Sequence, residues 1–193
     1  MTPRPMTVVV ILFTLVSTLP AADKSPNADL TDSGLAQLKQ QPQLKRLNLN
    51  GSKITDAGLV HLKELPHLKY LSLDGTQVGD AGLVHLKGLR QLKSLSLTST
   101  KVTDTGLGRL AEMPQLRTLS LDDTEVTDAG LVHLKGLTQL EWLYLNDTKV
   151  SDAGLQHLKG LTQLKFLSVI NAKVTDAGVD ELHKALPTVR IRR

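Results

Sequence analysis

Four histidines recur at multiples of 24 residues: His61, His85, His133 and His157. Imidazole is the side chain most often recruited to hold a metal or move a proton near neutral pH. Arg109 and Glu181 fill the same column elsewhere, so the position does not demand a ligand. If the column rides on successive short helices, neighbouring rings stand about 8–10 Å apart. A zinc–nitrogen bond is about 2 Å, so adjacent rings cannot easily share one ion. An exposed, inherited column is the reading that fits. Lys63, Lys87, Lys135 and Lys159 form a similar solvated column.

The carboxylates are as regular. Asp32, Asp56, Asp80, Asp104, Asp128, Asp152 and Asp176 follow one another every 24 residues. Paired carboxylates can do acid–base work. Here each stands at the start of a helical pattern, where it, or the Thr or Ser before it, can cap the helix N-terminus. Ser72, Ser96, Ser120 and Ser168 share one position. No His or acid recurs beside them as the base of a nucleophile. The absence of cysteine excludes disulfides, thiolate metal sites, a cysteine nucleophile and a lipid-modified N-terminal cysteine. No Gly-rich phosphate loop or metal-ligand spacing appears. The expectation is a protein that is not an enzyme and needs neither cofactor nor metal. Asn50-Gly51-Ser52 and Asn146-Asp147-Thr148 match the glycosylation sequon, a short match that carries little alone.

The regularity belongs to the whole chain. TDSGL at 31, TDAGL at 55, GDAGL at 79, TDTGL at 103, TDAGL at 127, SDAGL at 151 and TDAGV at 175 step by 24 residues without an insertion. A full unit reads LKRLNLNGSKITDAGLVHLKELPH from Leu44, and further units begin at Leu68, Leu92, Leu116, Leu140 and Leu164. A half unit, Leu30 to Gln43, precedes them, and VRIRR follows Pro187 as a last strand. LxxLxL alternates like a strand with one buried face. GLxxLxxL spaces apolar residues by three, as on a short helix or 3₁₀ turn. Between them Ile54, Val78, Val102, Val126, Val150 and Val174 can turn inward. Glycine two residues after each Asp costs about 1 kcal/mol in a helix relative to alanine. That recurrence points to close approach of the neighbouring coil, or equally to inheritance by duplication. One unit has too few apolar side chains to order itself, so units must stack. Strands stack about 4.8 Å apart and helices about 8–10 Å, so the stack bends with strands on the concave side.

LxxLxLxxTxVTDAGLxxLxxL, recurring six times over residues 28–193, resembles the leucine-rich repeat. The resemblance implies an α/β right-handed solenoid, a horseshoe arc with a parallel sheet on its concave face and short helices on its convex face. Ser52, Thr76, Thr100, Thr124 and Thr148 replace the familiar Asn or Cys of that repeat, and Ala172 does so in the last unit. A hydroxyl can still bond a neighbouring coil's backbone, so a ladder broken at Ala172 is expected. The TDAGL turn is similar to the subtype of F-box-associated repeat proteins of eukaryotes and of many exported bacterial proteins. No F-box-like helical segment precedes the repeats, so a ubiquitin-ligase role is not expected to carry over.

On the concave face the third, fifth and seventh positions of each unit point outward. The third column runs Arg46, Tyr70, Ser94, Thr118, Trp142, Phe166. The fifth runs Asn48, Ser72, Ser96, Ser120, Tyr144, Ser168, and the seventh Asn50, Asp74, Thr98, Asp122, Asn146, Ile170. Every aromatic residue after position 22 lies in these columns. Trp142 and Phe166 should be neighbours on adjacent strands. Exposed aromatics clustered on one surface are typical anchors for partners. They can also stack across strands simply to stabilise a sheet, or pack against a C-terminal cap. The expected site is Trp142, Tyr144 and Phe166, with Tyr70, Asp74, Asp122, Asn146 and Ile170 around it, taking a protein or peptide. A glycan on the aromatic platform, or a purely structural repeat, are the alternatives.

Residues 1–22 read as a secretory signal peptide: Arg4, an apolar run from Val8 to Leu19, then Pro20, Ala21 and Ala22. The run is shorter than the about 20 residues of a membrane span. A linker at 23–29 and one repeat domain at 30–193 should follow, in a protein exported to the periplasm, cell surface or medium and not stably inserted in a membrane. Without Arg4 the remainder holds 22 basic and 19 acidic residues, close to neutral. It lacks the basic stripe that nucleic acid requires. Lys45 and Arg46 on the first strand, and Arg190 and Arg192 on the last, read as charges that protect exposed sheet edges.

Overall fold

The computed structural model describes residues 29–193. The segment read above as a signal peptide, 1–22, and most of the expected linker at 23–29 lie outside these residues. The LxxLxL segments form seven three-residue strands: β1 (Arg46–Asn48), β2 (Tyr70–Ser72), β3 (Ser94–Ser96), β4 (Thr118–Ser120), β5 (Trp142–Tyr144), β6 (Phe166–Ser168) and β7 (Arg190–Arg192). They make one open parallel sheet in sequence order, β1 to β7. Register never slips: Leu47, Leu71, Leu95, Leu119, Leu143, Leu167 and Ile191 pair in one line. A period of 24 in sequence thus becomes a column in space. VRIRR keeps that phase, which puts Arg190 beside Phe166 and Arg192 beside Ser168.

The GLxxLxxL segments form short 3₁₀ and α turns on the opposite side, such as Asp56–Glu64, Asp104–Leu110 and Asp152–Leu155. The helix Asp176–Ala185 covers the last full coil with ten residues. Between the two layers one continuous aliphatic core runs the length of the stack. Its leucines are joined by Ile54, Val78, Val102, Val126, Val150 and Val174, all buried as the pattern requires. The sheet ladder is not the only backbone link between coils. Gln77, Lys101, Lys149 and Lys173 donate their N–H to the carbonyls of Ile54, Val78, Val126 and Val150 at 2.8–3.0 Å.

The structure resolves the choice of cap. Thr55, Thr103, Thr127, Ser151 and Thr175 are the capping residues, each accepting a backbone N–H from the first helical turn. Gly79 has no hydroxyl, and its helical turn begins later, at Gly82. The aspartates reach into the next coil instead. Asp128 Oδ1 accepts from the Ser151 N–H at 2.7 Å and Oδ2 from its hydroxyl at 2.6 Å. Asp32, Asp80, Asp104 and Asp152 repeat this two-bond clamp on Thr55, Thr103, Thr127 and Thr175. Asp56 makes the one bond open to it, from the Gly79 N–H at 2.7 Å.

The clamp also explains the glycine column. A Cβ on Gly154 would collide with Asp128 Oδ1, and one on Gly58, Gly82, Gly106, Gly130 or Gly178 would meet the equivalent carboxylate. Close approach of the neighbouring coil is therefore a sufficient physical reason for glycine there. The hydroxyl ladder is corrected. Ser52, Thr76, Thr100, Thr124 and Thr148 donate to the carbonyl three residues back in their own coil, all at 2.6 Å, not to a neighbour. It does end at Ala172, where only the backbone bond from Ala172 N–H to Val169 O is left.

Candidate functional site

Strand pairing brings three aromatics of the expected site together. Trp142 pairs with Phe166 in the β5–β6 register. The rings in contact are the diagonal pair, Tyr144 and Phe166, with centroids 5.6 Å apart and planes tilted by 51°. Trp142 is left 37% exposed, and Lys165 Nζ stands 5.4 Å from its ring centre. Trp142, Tyr144 and Phe166 alternate with the buried Leu143 and Leu167, so their rings stand on the sheet face away from the leucine core.

Tyr70 is not part of this cluster. It lies on β2, three strands from β5, about 14 Å away at the usual spacing. Its ring is 38% exposed and carries the Arg46 guanidinium 3.9 Å above it. Ser94 and Thr118 occupy the third column between the two aromatic patches. In that column the face therefore reads cation, aromatic, two small hydroxyls, two aromatics, cation, from Arg46 to Arg190.

The polar residues placed around the cluster are already engaged. Asn50 Oδ1 accepts the Asp74 N–H, Asp74 Oδ1 the Thr98 N–H, Asp122 Oδ1 the Asn146 N–H and Asn146 Oδ1 the Ile170 N–H, at 2.7–3.1 Å. Hydroxyls complete this second inter-coil ladder: Ser72 and Ser96 donate to Asp74, Ser120 to Asp122 and Ser168 to Asn146. Asp74, Asp122 and Asn146 thus stitch coils at the strand ends. Ile170 ends the row, half-buried, with its N–H held by Asn146. Both sequons fall in this ladder, and their hydroxyls Ser52 and Thr148 are buried.

Desolvation at the strand ends pushes the Asp122 carboxyl above its ordinary value, against the pull of the Asn146 N–H and amide and the Ser120 hydroxyl. Glu141 behaves oppositely. It is the one acid in a column otherwise made of Lys45, Lys69, Lys93, Arg117 and Lys165, a charge reversal legible in the sequence but not singled out there. Its carboxylate takes Lys165 Nζ at 2.6 Å and Arg117 Nη1 at 3.0 Å. The Lys165 bond, ahead of the charges of Lys165 and Arg117, holds its pKa below the usual carboxylate range. Glu141 therefore ties together the segments that enter β4, β5 and β6 and holds the ammonium that faces Trp142.

The histidine column lies on the convex side, and among the described residues no group of His, Asp or Glu is arranged to hold a metal ion. No described helix is long and apolar enough to cross a membrane.

A leucine-rich repeat family model matches residues 41–63, 64–86 and 89–111. No curated protein sequence matches the chain. Among solved structures, an internalin C2 of Listeria monocytogenes is 31% identical with a TM-score of 0.68, over 86% of this chain and 66% of that one. An internalin (inlF) of the same organism is 22% identical with a TM-score of 0.58, over 81% of this chain and 49% of that one. The second likeness shows the fold alone. The chain spans just under two thirds of the first neighbour and about half of the second. A 24-residue period, a parallel stack in constant register and these likenesses agree: the chain carries leucine-rich repeats and folds as a leucine-rich repeat solenoid.

Proposed function

We propose that the protein is a non-enzymatic recognition module, acting outside the cytoplasm, that holds a protein or peptide on its concave face at Trp142, Tyr144 and Phe166. The repeat fold supports a protein-interaction role in general. The observation that carries the finer reading is the departure of three neighbouring positions from the small hydroxyl residues of the two preceding coils, towards surface aromatics that the leucine core does not need. Rigid aromatics lose little entropy on binding and supply large contact area. Tyr70 provides a second, separate anchor. Asp74, Asp122, Asn146 and Ile170 frame the site by holding the coils in place. The leader-like residues 1–22 support export.

Trp142 is the only tryptophan, so its emission reports on this face. Titration with a peptide library and with a set of neutral oligosaccharides should shift the emission for peptides, and the shift should vanish in Tyr144→Ser/Phe166→Ser. Glycans that shift it where peptides do not would replace this reading with carbohydrate binding. Silence towards both would leave a structural spacer.

A further inference from the structure

The charges of the concave face are unevenly engaged. Its acids are held internally: Asp74 and Asp122 by hydroxyls, a side-chain amide and backbone N–H groups of their own and neighbouring coils, Glu141 by Arg117 and Lys165. Apart from Arg117 and Lys165, its cations have no such acid partner. Among the described residues the ion pairs leave out Lys45, Arg46, Lys69, Lys93, Arg190 and Arg192. Arg190 and Arg192 are exposed and extend the third and fifth columns past Phe166 and Ser168. They were read from sequence as edge protection, yet the register sets them one strand from the aromatic cluster. Arg46 ends the same row beyond Tyr70.

Resting on the concave-face reading above, we propose that the ligand is an extended acidic segment of a partner protein laid across the strands. A bulky apolar side chain sits among Trp142, Tyr144 and Phe166, and carboxylates meet Arg190 and Arg192. From Tyr70 to Phe166 is four strand steps, about 19 Å, which about six extended residues span. The hydroxyls of Ser94, Thr118 and Ser120 between the patches offer a floor of polar partners without bulk. A peptide fits this row better than a nucleic acid does, because the cations stand at its two ends and its centre is uncharged. Unpaired arginines at an aromatic patch favour carboxylate recognition, since the guanidinium meets a carboxylate with two parallel bonds.

The test is to pan the full chain against a random peptide display library and measure the enriched peptides in solution. Enriched peptides should carry net negative charge and an aromatic or large aliphatic residue. Their affinity should fall at least about tenfold for R190E/R192E and fall as salt rises. R190Q/R192Q gives the same comparison should the reversal fail to fold, which circular dichroism reports. Enrichment of neutral or basic peptides, no enrichment, or equal affinity for the arginine variants overturns the proposal. So does a heparin fragment or single-stranded oligonucleotide that binds at least as tightly through the same arginines. Peptides that lose affinity for Trp142→Ser but not for R190E/R192E sink only the acidic-segment inference. Peptides indifferent to both sink the concave-face reading as well.

Discussion

At the scale of single residues, the informative ones are those that break the repeat. Trp142, Tyr144 and Phe166 stood out as a candidate site because they replace Ser and Thr at outward positions. Asp74, Asp122 and Asn146 were legible as outward-facing, but alternation alone says nothing of what a side chain meets. Only the next coil, one strand spacing away, shows that they accept its backbone N–H groups. Asp122 is the instructive case, since burial holds its pKa above 3.8. A carboxyl whose folded pKa is raised opposes folding while ionised, and that cost disappears as pH falls through the folded pKa towards the unfolded one. Asn146 makes the same bond with an uncharged oxygen. Asp122→Asn should therefore raise the melting temperature at pH 7, with a gain that shrinks as pH falls. A variant less stable than wild type at neutral pH, measured by thermal melts across pH, would show that the charge is needed.

At the scale of elements, each coil is held to the next by a carboxylate clamp that the sequence reading, which left the cap open between Asp and the Thr or Ser before it, did not foresee. A Thr-Asp pair at a helix start looks like two candidate caps. Sequence offers no reason to send the Asp outward to residue i+23, because that contact exists only when coils are stacked. The glycine column did carry the signal. Alanine in a helix is normally better than glycine by about 1 kcal/mol, and here the order should reverse. Gly154→Ala pushes a methyl into Asp128 Oδ1 and should destabilise the protein. Asp128→Ala alone removes two bonds to a charged acceptor and should cost about 2–3 kcal/mol. In the double variant the two closest carboxylate atoms are gone and the flexible tip of Leu131 is the near neighbour left, so most of the Gly154→Ala penalty should vanish. A double-mutant cycle from denaturant unfolding measures this coupling. Additive penalties would mean that the glycine is inherited and not required.

At the scale of the whole molecule, a constant 24-residue register makes the fold readable and the function hard to read. Any period of that length built on LxxLxL and GLxxLxxL stacks in one way, so the sheet order, the buried columns and the convex turns followed from pattern alone. The rows across the sheet followed too, as far as Phe166 and Ser168, but the contacts each side chain makes along a row did not, because each row mixes residues of unrelated type. Arg190 and Arg192 became part of the face only once β7 was seen to keep phase with β6. The labour is divided on this proposal: shared letters fold the chain, and the aromatic departures are there to bind. Leu143→Ala, at a fully buried position, should cost about 2–5 kcal/mol. Returning the three aromatics to the residues of neighbouring coils, as Trp142→Thr/Tyr144→Ser/Phe166→Thr, removes one ring pair and one cation contact and should cost only about 1–2 kcal/mol. The most direct measurement is the dissociation constant of the tightest library-selected peptide for that triple variant, taken at a temperature where it is folded. A loss of at least about thirtyfold relative to wild type is expected; an unchanged dissociation constant would mean that the three aromatics do not hold the peptide.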